Sequence, residues 1–552
     1  MAYPSVYPTG TTIYYPDKCF NGYTVFPIGN PTDALGIALM DMNGNLVNVW
    51  KGLIGFPAKI LPGGFAMGSS DIRNPKYGYM DNVDLVQVDW QGNVVWKFAK
   101  YQRIKDPRSK ARWMARQHHD YQREGNPVGY YVPGMPPSVS GGNTLILSHK
   151  DLTNTKISEK KLIDDTIIEV TWDGQIVWEW IFSEHFDEMG FGEEAKNTMY
   201  RNPNIVPASG GIGDWMHINS LSTLGPNKWH DGGDARFHPD NLIWSSRQAN
   251  IFAITDKKSG KIVWRIGPDY DASPELRALG WIVGQHHPHM IPRGLPGEGN
   301  ILVFDNGGWA GYGAPNPTSP TGHNNARRDF SRVLEFDPVT LEIVWQYSAV
   351  EAGFPPVVEA HRFYSGFVSS VQRLPNGNTL ITEGTDGRLI EVTRDHEIVW
   401  EYISPYYGKN GNHNMIYRAY RLPYEWIPQA DAPEEVPVPR LDNSKFRVGG
   451  LGDDAQNVVT ELSAAAGSTR IRSCVWCRPR PIFDGLCRRA QKGSGAMGYT
   501  QATAFVDGEL VPISEAKISL LDGIFAFGCH LRNRDKVPGL LVGPAGRGAC
   551  CQ

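Results

Sequence analysis

A hairpin repeated six times restricts the fold of this chain most. Each copy is a short strand, a turn and then β-branched residues followed by Trp, and the copies end at Trp50, Trp96, Trp178, Trp264, Trp345 and Trp400. Leu85-Val86-Gln87-Val88-Asp89-Trp90-Gln91-Gly92-Asn93-Val94-Val95-Trp96 is a representative copy. It has alternating β-formers, an Asp/Gly turn, and β-formers again. The spacings are 46, 82, 86, 81 and 55 residues, so the unit is short and the middle copies carry long insertions. A second element accompanies the first. Arg373-Leu374-Pro375-Asn376-Gly377-Asn378-Thr379-Leu380-Ile381 matches Ile60 to Met67, and also Ile291 to Val303 with extra turn residues. Two hairpins per unit make a four-stranded blade, and a blade buries both faces only between neighbours. The expected fold is therefore all-β: a six-bladed β-propeller followed by a short irregular C-terminal tail. An array of β-sandwiches would not explain one Trp per unit at one strand position.

The innermost strands carry the candidate chemistry. Gly284-Gln285-His286-His287-Pro288-His289 holds three histidines in four positions. Aligned on the Pro/Gly turns, His286 matches His119 of Gln117-His118-His119-Asp120 and His217 of Trp215-Met216-His217-Ile218-Asn219. The first strand of a blade lines the axial channel, and alternate side chains face the axis. His119, His217 and His286 are thus expected to converge on one axial pocket, with His118, His287 and His289 off that row or deeper. Arg247 falls on a strand that should be half buried, where an unpaired guanidinium is costly. Its partner is either an anionic ligand or a structural Asp. Asn219 alternates with His217 and can donate to an anion or close a turn. Asp305-Asn306-Gly307-Gly308 reads as a strand end and loop.

Composition removes other classes. The formal net charge is −4 and no basic run stands out, so no nucleic-acid partner is expected. No apolar run reaches membrane-spanning length. Met1-Ala2-Tyr3-Pro4-Ser5 shows neither a basic nor an apolar leader region, which gives a cytoplasmic expectation. Cys19 stands alone before Cys474; Cys474 and Cys477 form a CxxC with no second pair at zinc-finger spacing, so free thiols and no metal are expected. The domain expectation is an N-terminal segment over 1–29, the propeller over 30–428, a Pro- and acid-rich linker over 429–445 and a C-terminal segment over 446–552. Within that last segment, Met497 to Gly528 resembles the N-terminal strands of class IV aminotransferases, which bind pyridoxal phosphate. The large domain that would bring the Schiff-base lysine is missing, so the segment is expected to be a disordered remnant without chemistry of its own.

Longer motifs carry a second resemblance. Asp214-Trp215-Met216-His217-Ile218-Asn219-Ser220, Phe237-His238-Pro239-Asp240-Asn241, Ser245-Ser246-Arg247-Gln248, Gln285-His286, Leu295 to Gly307 and Leu374 to Thr385 are similar to the bacterial arylsulfate sulfotransferases, over residues 30–408. The resemblance implies a six-bladed propeller that moves sulfuryl groups from aryl sulfates to phenols, without a cofactor or a nucleotide donor. It implies that His286 is the nucleophile and forms a sulfohistidine, by ping-pong kinetics, and that His119, His217, Asn219 and Arg247 surround the sulfuryl oxygens. The partners implied are a small-molecule aryl sulfate donor and a phenolic acceptor. Characterised relatives carry an export leader and a disulfide, and a His often stands where this chain has Gln248. The residues suit that chemistry independently. Sulfuryl transfer, like phosphoryl transfer, needs a nucleophile, donors for the oxygens and a proton for the leaving phenolate. No GxxxxGK[ST] loop occurs, so a nucleotide sulfate donor is not indicated. Two alternatives remain at this level: a propeller enzyme holding iron or zinc on its axial histidines, and a non-catalytic ligand-binding propeller.

Overall fold

The computed structural model describes residues 8–29, 34–74, 80–204, 212–408 and 413–441, and the backbone of three short strands further on. Six antiparallel sheets, five of four strands and one of five, form a six-bladed β-propeller. In blade 1 the strand order is Tyr420–Leu422, Tyr23–Ile28, Gly36–Met40, Leu46–Lys51. Blades 2 to 5 begin on the inner strands Ile54–Leu61, Gln117–Arg123, Ile218–Thr223 and His286–Met290. Blade 6 runs from Ser370–Arg373 outward to Ile398–Ile403, and Gly10–Tyr14 adds a fifth strand outside it.

The repeated tryptophans join neighbouring blades. The indole N–H of Trp50 donates to the carbonyl of Asp89 in the next blade's turn, Trp96 to Trp172, Trp180 to Gly260, Trp264 to Pro338, Trp345 to Arg394 and Trp400 back to Met42. These distances run from 2.7 to 3.0 Å. A buried indole needs an acceptor for its N–H, and the outer turn of the adjacent blade supplies one. This corrects the sequence alignment in two blades. In blade 3 the bonding residue is Trp180, and Trp178 two residues earlier is half exposed. Trp50 is likewise two positions further along its strand than Trp96, pairing opposite Ile37 as Trp180 pairs opposite Ile167.

Both ends of the propeller extend past the expected boundaries. Tyr23–Ile28 is the second strand of blade 1, closed by Tyr420–Leu422, so residues before 30 are part of the ring. Apolar side chains at Tyr14, Tyr23, Val25 and Phe26 explain this, because each is fully buried between sheets. The linker also packs on the propeller. Tyr14 and Val438 exchange backbone hydrogen bonds, and Asn43 holds Val436. Residues 447–552 form a separate unit. In it Ala502–Val506 pairs antiparallel with Glu509–Pro512 and Arg532–Asn533. The remaining expectations for the 446–552 tail lie outside the described residues.

Bulges interrupt the inner strands where the histidines lie. The register slips between Gln117 and Tyr121, between Ile218 and Ser220, and between His286 and His289. His119 and His217 take left-handed backbone conformations, with φ of 51° and 52°. In blade 5 the left-handed residue is His287 (φ 55°), not His286. The single equivalent row expected from strict alternation therefore does not extend to His286, because each bulge shifts the alternation that the alignment relied on.

Candidate active site

His119 and His217 meet edge to face, their ring centroids 4.6 Å apart. Phe56 of blade 2 and Tyr417 border this pair, with the Phe56 ring 4.4 Å from His119 and 4.5 Å from Tyr417. His286 approaches from blade 5, close enough that positive charge on His217 or Arg247 disfavours its own protonation. All three histidines are buried. Burial, reinforced by neighbouring cationic groups, pushes the pKa values of His119 and His286 well below the ordinary imidazole value. Both are therefore neutral near pH 7.

Hydrogen bonds fix the tautomers. Nδ1 of His286 has two acceptors, the carbonyl of Gly284 at 3.1 Å and Oδ1 of Asn306 at 2.7 Å. The Asn306 amide nitrogen donates to the carbonyls of Ser365 and Val368, so its oxygen must be the atom that faces His286. Nδ1 then carries the proton, and Nε2 presents a lone pair. Nδ1 of His217 donates to Asp214 Oδ2 at 2.8 Å. Burial alone would raise Asp214, but the charge and hydrogen bond of His217 outweigh it and hold the carboxyl below its usual value. The Asp214 carboxylate thus fixes the orientation of the His217 ring. Asn219 spans blades, its amide donating to the carbonyl of Gln285 at 2.7 Å.

Arg247 is the cation of the site. Its backbone N–H donates to the carbonyl of His217, and its side chain is buried with the guanidinium carbon 5.2 Å from the Trp309 ring centre. Among the described residues no carboxylate or carbonyl accepts a hydrogen bond from that guanidinium. The structural Asp partner weighed from the sequence is absent there. Burial lowers its pKa to about 10, which still leaves it charged at neutral pH. Trp309 also borders a cavity of about 670 Å³ lined by Asn324, Arg328 and Tyr364 among others. Gln248 donates to Asn324 at 3.1 Å and so lies beside the same cavity.

A deeper layer holds the strands in place. Arg418 donates to Asp120 at 2.8 Å and to the carbonyl of Asn219 at 3.1 Å, and Lys59 pairs with Asp120 at 2.7 Å. The Tyr417 hydroxyl lies 3.0 Å from the carbonyl of His119 and 3.2 Å from that of Asn219. His287 and His289 lie in this layer with Tyr130 and Tyr420. His118 turns away from the axis and stacks on His149 at 3.7 Å. The sequence reading left out Asp214, Asn306 and Trp309 as site residues. Asp214, three residues before His217 in its motif, offered the clearest signal. Nothing local marked Asn306 as the orienting group for a histidine on another strand. Among the described residues, the side chains at metal-ligand spacing are His118, His149 and Asp165, not the axial trio.

A neutral imidazole nitrogen at His286, the His217–Asp214 pair and the guanidinium of Arg247, which has no hydrogen-bond acceptor among the described residues, are thus neighbours on blades 4 and 5. The family model of the arylsulfotransferases (ASST) matches residues 138–410, the stretch that contains His217, Asn219, Arg247 and His286, and so supports the resemblance read from the motifs. No curated protein matches the chain. Solved structures with similar folds include a protein of unknown function from Bacteroides caccae, at 11% identity and TM-score 0.37, covering 73% of this chain and 99% of that one. Virginiamycin B lyase from Staphylococcus aureus matches at 12% identity and TM-score 0.30, covering 73% and 87%. The Cps50 (Swd1) β-propeller domain of Myceliophteria thermophila matches at 10% and TM-score 0.31, covering 71% and 90%.

Proposed function

We propose that this protein transfers a sulfuryl group from an aryl sulfate ester to a phenolic acceptor through a sulfohistidine at His286. The observation that carries the reading is the pairing of a lone pair at His286 Nε2 with a buried guanidinium, Arg247, that lacks a protein partner. Nε2 attacks sulfur as the sulfur–oxygen bond to the aryl group breaks. The electron pair of that bond goes to the aryl oxygen, which takes a proton from Nε2 of the His217 imidazolium held by Asp214. Arg247 and His119 face the sulfuryl oxygens, where charge collects in a loose transition state. The aryl ring lies against Trp309 and Tyr364. In the second half the acceptor phenol gives its proton to His217 and attacks sulfur, and the nitrogen–sulfur bond returns its pair to His286. Asn219 holds the blade 5 backbone just before His286.

Intact mass after incubation with 4-nitrophenyl sulfate alone tests the covalent step. Wild type gains one sulfuryl group, roughly 80 Da, and His286→Ala does not. A wild type that turns over while its mass never changes would remove the sulfohistidine from the scheme. A mass that never changes, together with activity that disappears with chelator and returns with iron or zinc, would transfer the reading to metal chemistry.

A further inference from the structure

Beside the axial histidines, on the first three strands of blade 3, lies a second buried cluster that sulfuryl transfer does not use. His118, His149 and Asp165 are each almost fully buried, and one potential ligand atom from each lies within 4.8 Å of the others. His118 Nε2 is 3.3 Å and His149 Nε2 is 3.8 Å from Asp165 Oδ1. Donors at about 2.1 Å from a tetrahedral ion sit about 3.4 Å apart, so these spacings are close to a ligand set.

Two further observations point to a cation. First, several polar atoms here have no hydrogen-bond partner: Nε2 of His118, both ring nitrogens of His149, and Oδ2 of Asp165. Buried polar atoms are ordinarily satisfied, so this many together need an occupant. Second, the charge is unbalanced. Among the described residues Asp164 and Asp165 form no ion pair with Lys or Arg, whereas Asp214 is paired with His217. Asp164 accepts hydrogen bonds from the Ser183 backbone N–H and the Trp215 indole. A divalent cation at Asp165 would balance that charge.

We infer that His118 Nε2, His149 and Asp165 bind a divalent transition-metal ion of the zinc class. Two imidazoles and one carboxylate form a donor set that selects such ions over calcium or magnesium. Binding requires the two imidazole planes, now 21° apart, to splay around the ion. The site would act on catalysis through position. His118 Nδ1 lies 2.9 Å from His119 Nδ1. Metal on His118 Nε2 fixes the proton on His118 Nδ1, which then donates to His119 and leaves the His119 proton on Nε2. That nitrogen is then a hydrogen-bond donor. The ion is a positioning element and does not touch the substrate.

The test is metal content, which does not depend on the sulfotransferase reading. Full-length wild type, His149→Gln, Asp165→Asn and His286→Ala are stripped with EDTA, loaded with Zn²⁺ alone, desalted and assayed for zinc. Wild type and His286→Ala are expected to hold one equivalent more than His149→Gln and Asp165→Asn, with zinc affinity at this site falling at least about tenfold in the latter two. Circular dichroism identifies any variant that fails to fold, and Asp165→Asn, nearly isosteric, then stands in for His149→Gln. Three outcomes overturn the site: equal zinc in wild type and both ligand variants, no retained zinc in wild type, or loss of zinc in His286→Ala, which would move the ion to the axial histidines.

Discussion

Asn306 Oδ1 accepts a hydrogen bond from Nδ1 of His286 at 2.7 Å, while the Asn306 amide nitrogen is tied to two backbone carbonyls of the segment leading into blade 6. The nitrogen that His286 leaves unprotonated is therefore set by a side chain just past the end of the neighbouring strand, Ile301–Asp305. Asn306→Ala is expected to lower kcat roughly tenfold to a hundredfold with little change in KM, since orientation and not contact is lost. Asn306→Asp separates orientation from charge. A carboxylate there stabilises the His286 cation and raises its pKa. Its pH–rate profile should lose activity at pH 6 relative to pH 8, and wild type should not. Matching profiles for the two proteins would show that Asn306 does not govern His286.

Arg247 should reverse the usual order of effects. Removing one donor to the sulfuryl oxygens is expected to cost about a hundred- to thousandfold in kcat, or roughly 3–4 kcal/mol. Because the guanidinium is buried without a protein partner, Arg247→Gln is expected to leave the urea midpoint unchanged or raised. A large loss of stability would mean that Arg247 supports the fold and not the reaction.

Stability should fall in acid through the blade 5 histidines. Burial and nearby cations lower His286 and His287 well below the ordinary value, and burial holds His289 at about 4. The unfolded chain takes up protons near pH 6.5 and the folded chain does not, so stability is full above that pH and declines as pH falls below it. Three such groups give up to about 4 kcal/mol per pH unit between pH 6 and pH 5. Urea unfolding at pH 7, 6 and 5 measures the slope, and a flat result would mean these histidines are protonated in the folded state.

The indole ring of contacts can be tested within one strand. Trp180→Phe removes a hydrogen bond to Gly260 and should cost about 1–2 kcal/mol. Trp178→Phe, at a half-exposed position, should cost less than about 0.5 kcal/mol. Equal costs from thermal or urea unfolding would contradict the assignment of the blade-to-blade bond to Trp180.

The repeat was readable because its cause is local: each unit needs an aromatic donor near one outer turn, and Trp96, Trp264, Trp345 and Trp400 occur at that spacing. Blades 1 and 3 departed from it because an indole two residues further along a twisted strand reaches a different carbonyl of the neighbouring turn, Asp89 or Gly260. The expected axial row predicted the meeting of His119 and His217. It misjudged the backbone of His286, because a bulge adds a residue there; Pro288, which has no N–H for the ladder, was the one local sign of it. Asp214 was legible in principle. Asn306 was not, since its role depends on two carbonyls near Ser365 and Val368 that are distant in sequence. The packing of residues 10–28 and 435–438 was hidden by their lack of the repeat, although Tyr14, Phe26 and Val438 carry the apolar surface that requires it.

Blade 1 is completed only when Tyr420–Leu422 reaches Tyr23–Val25. The residues just before that strand, Tyr417 and Arg418, clasp the backbone of His119 and Asn219 and the carboxylate of Asp120. On the ribosome, an emerging chain can therefore form its blades in sequence and still lack a finished pocket until the last inner strand docks. Catalytic competence would then report completed translation of the whole ring, and a chain stalled within blade 6 would be well folded in part and inert.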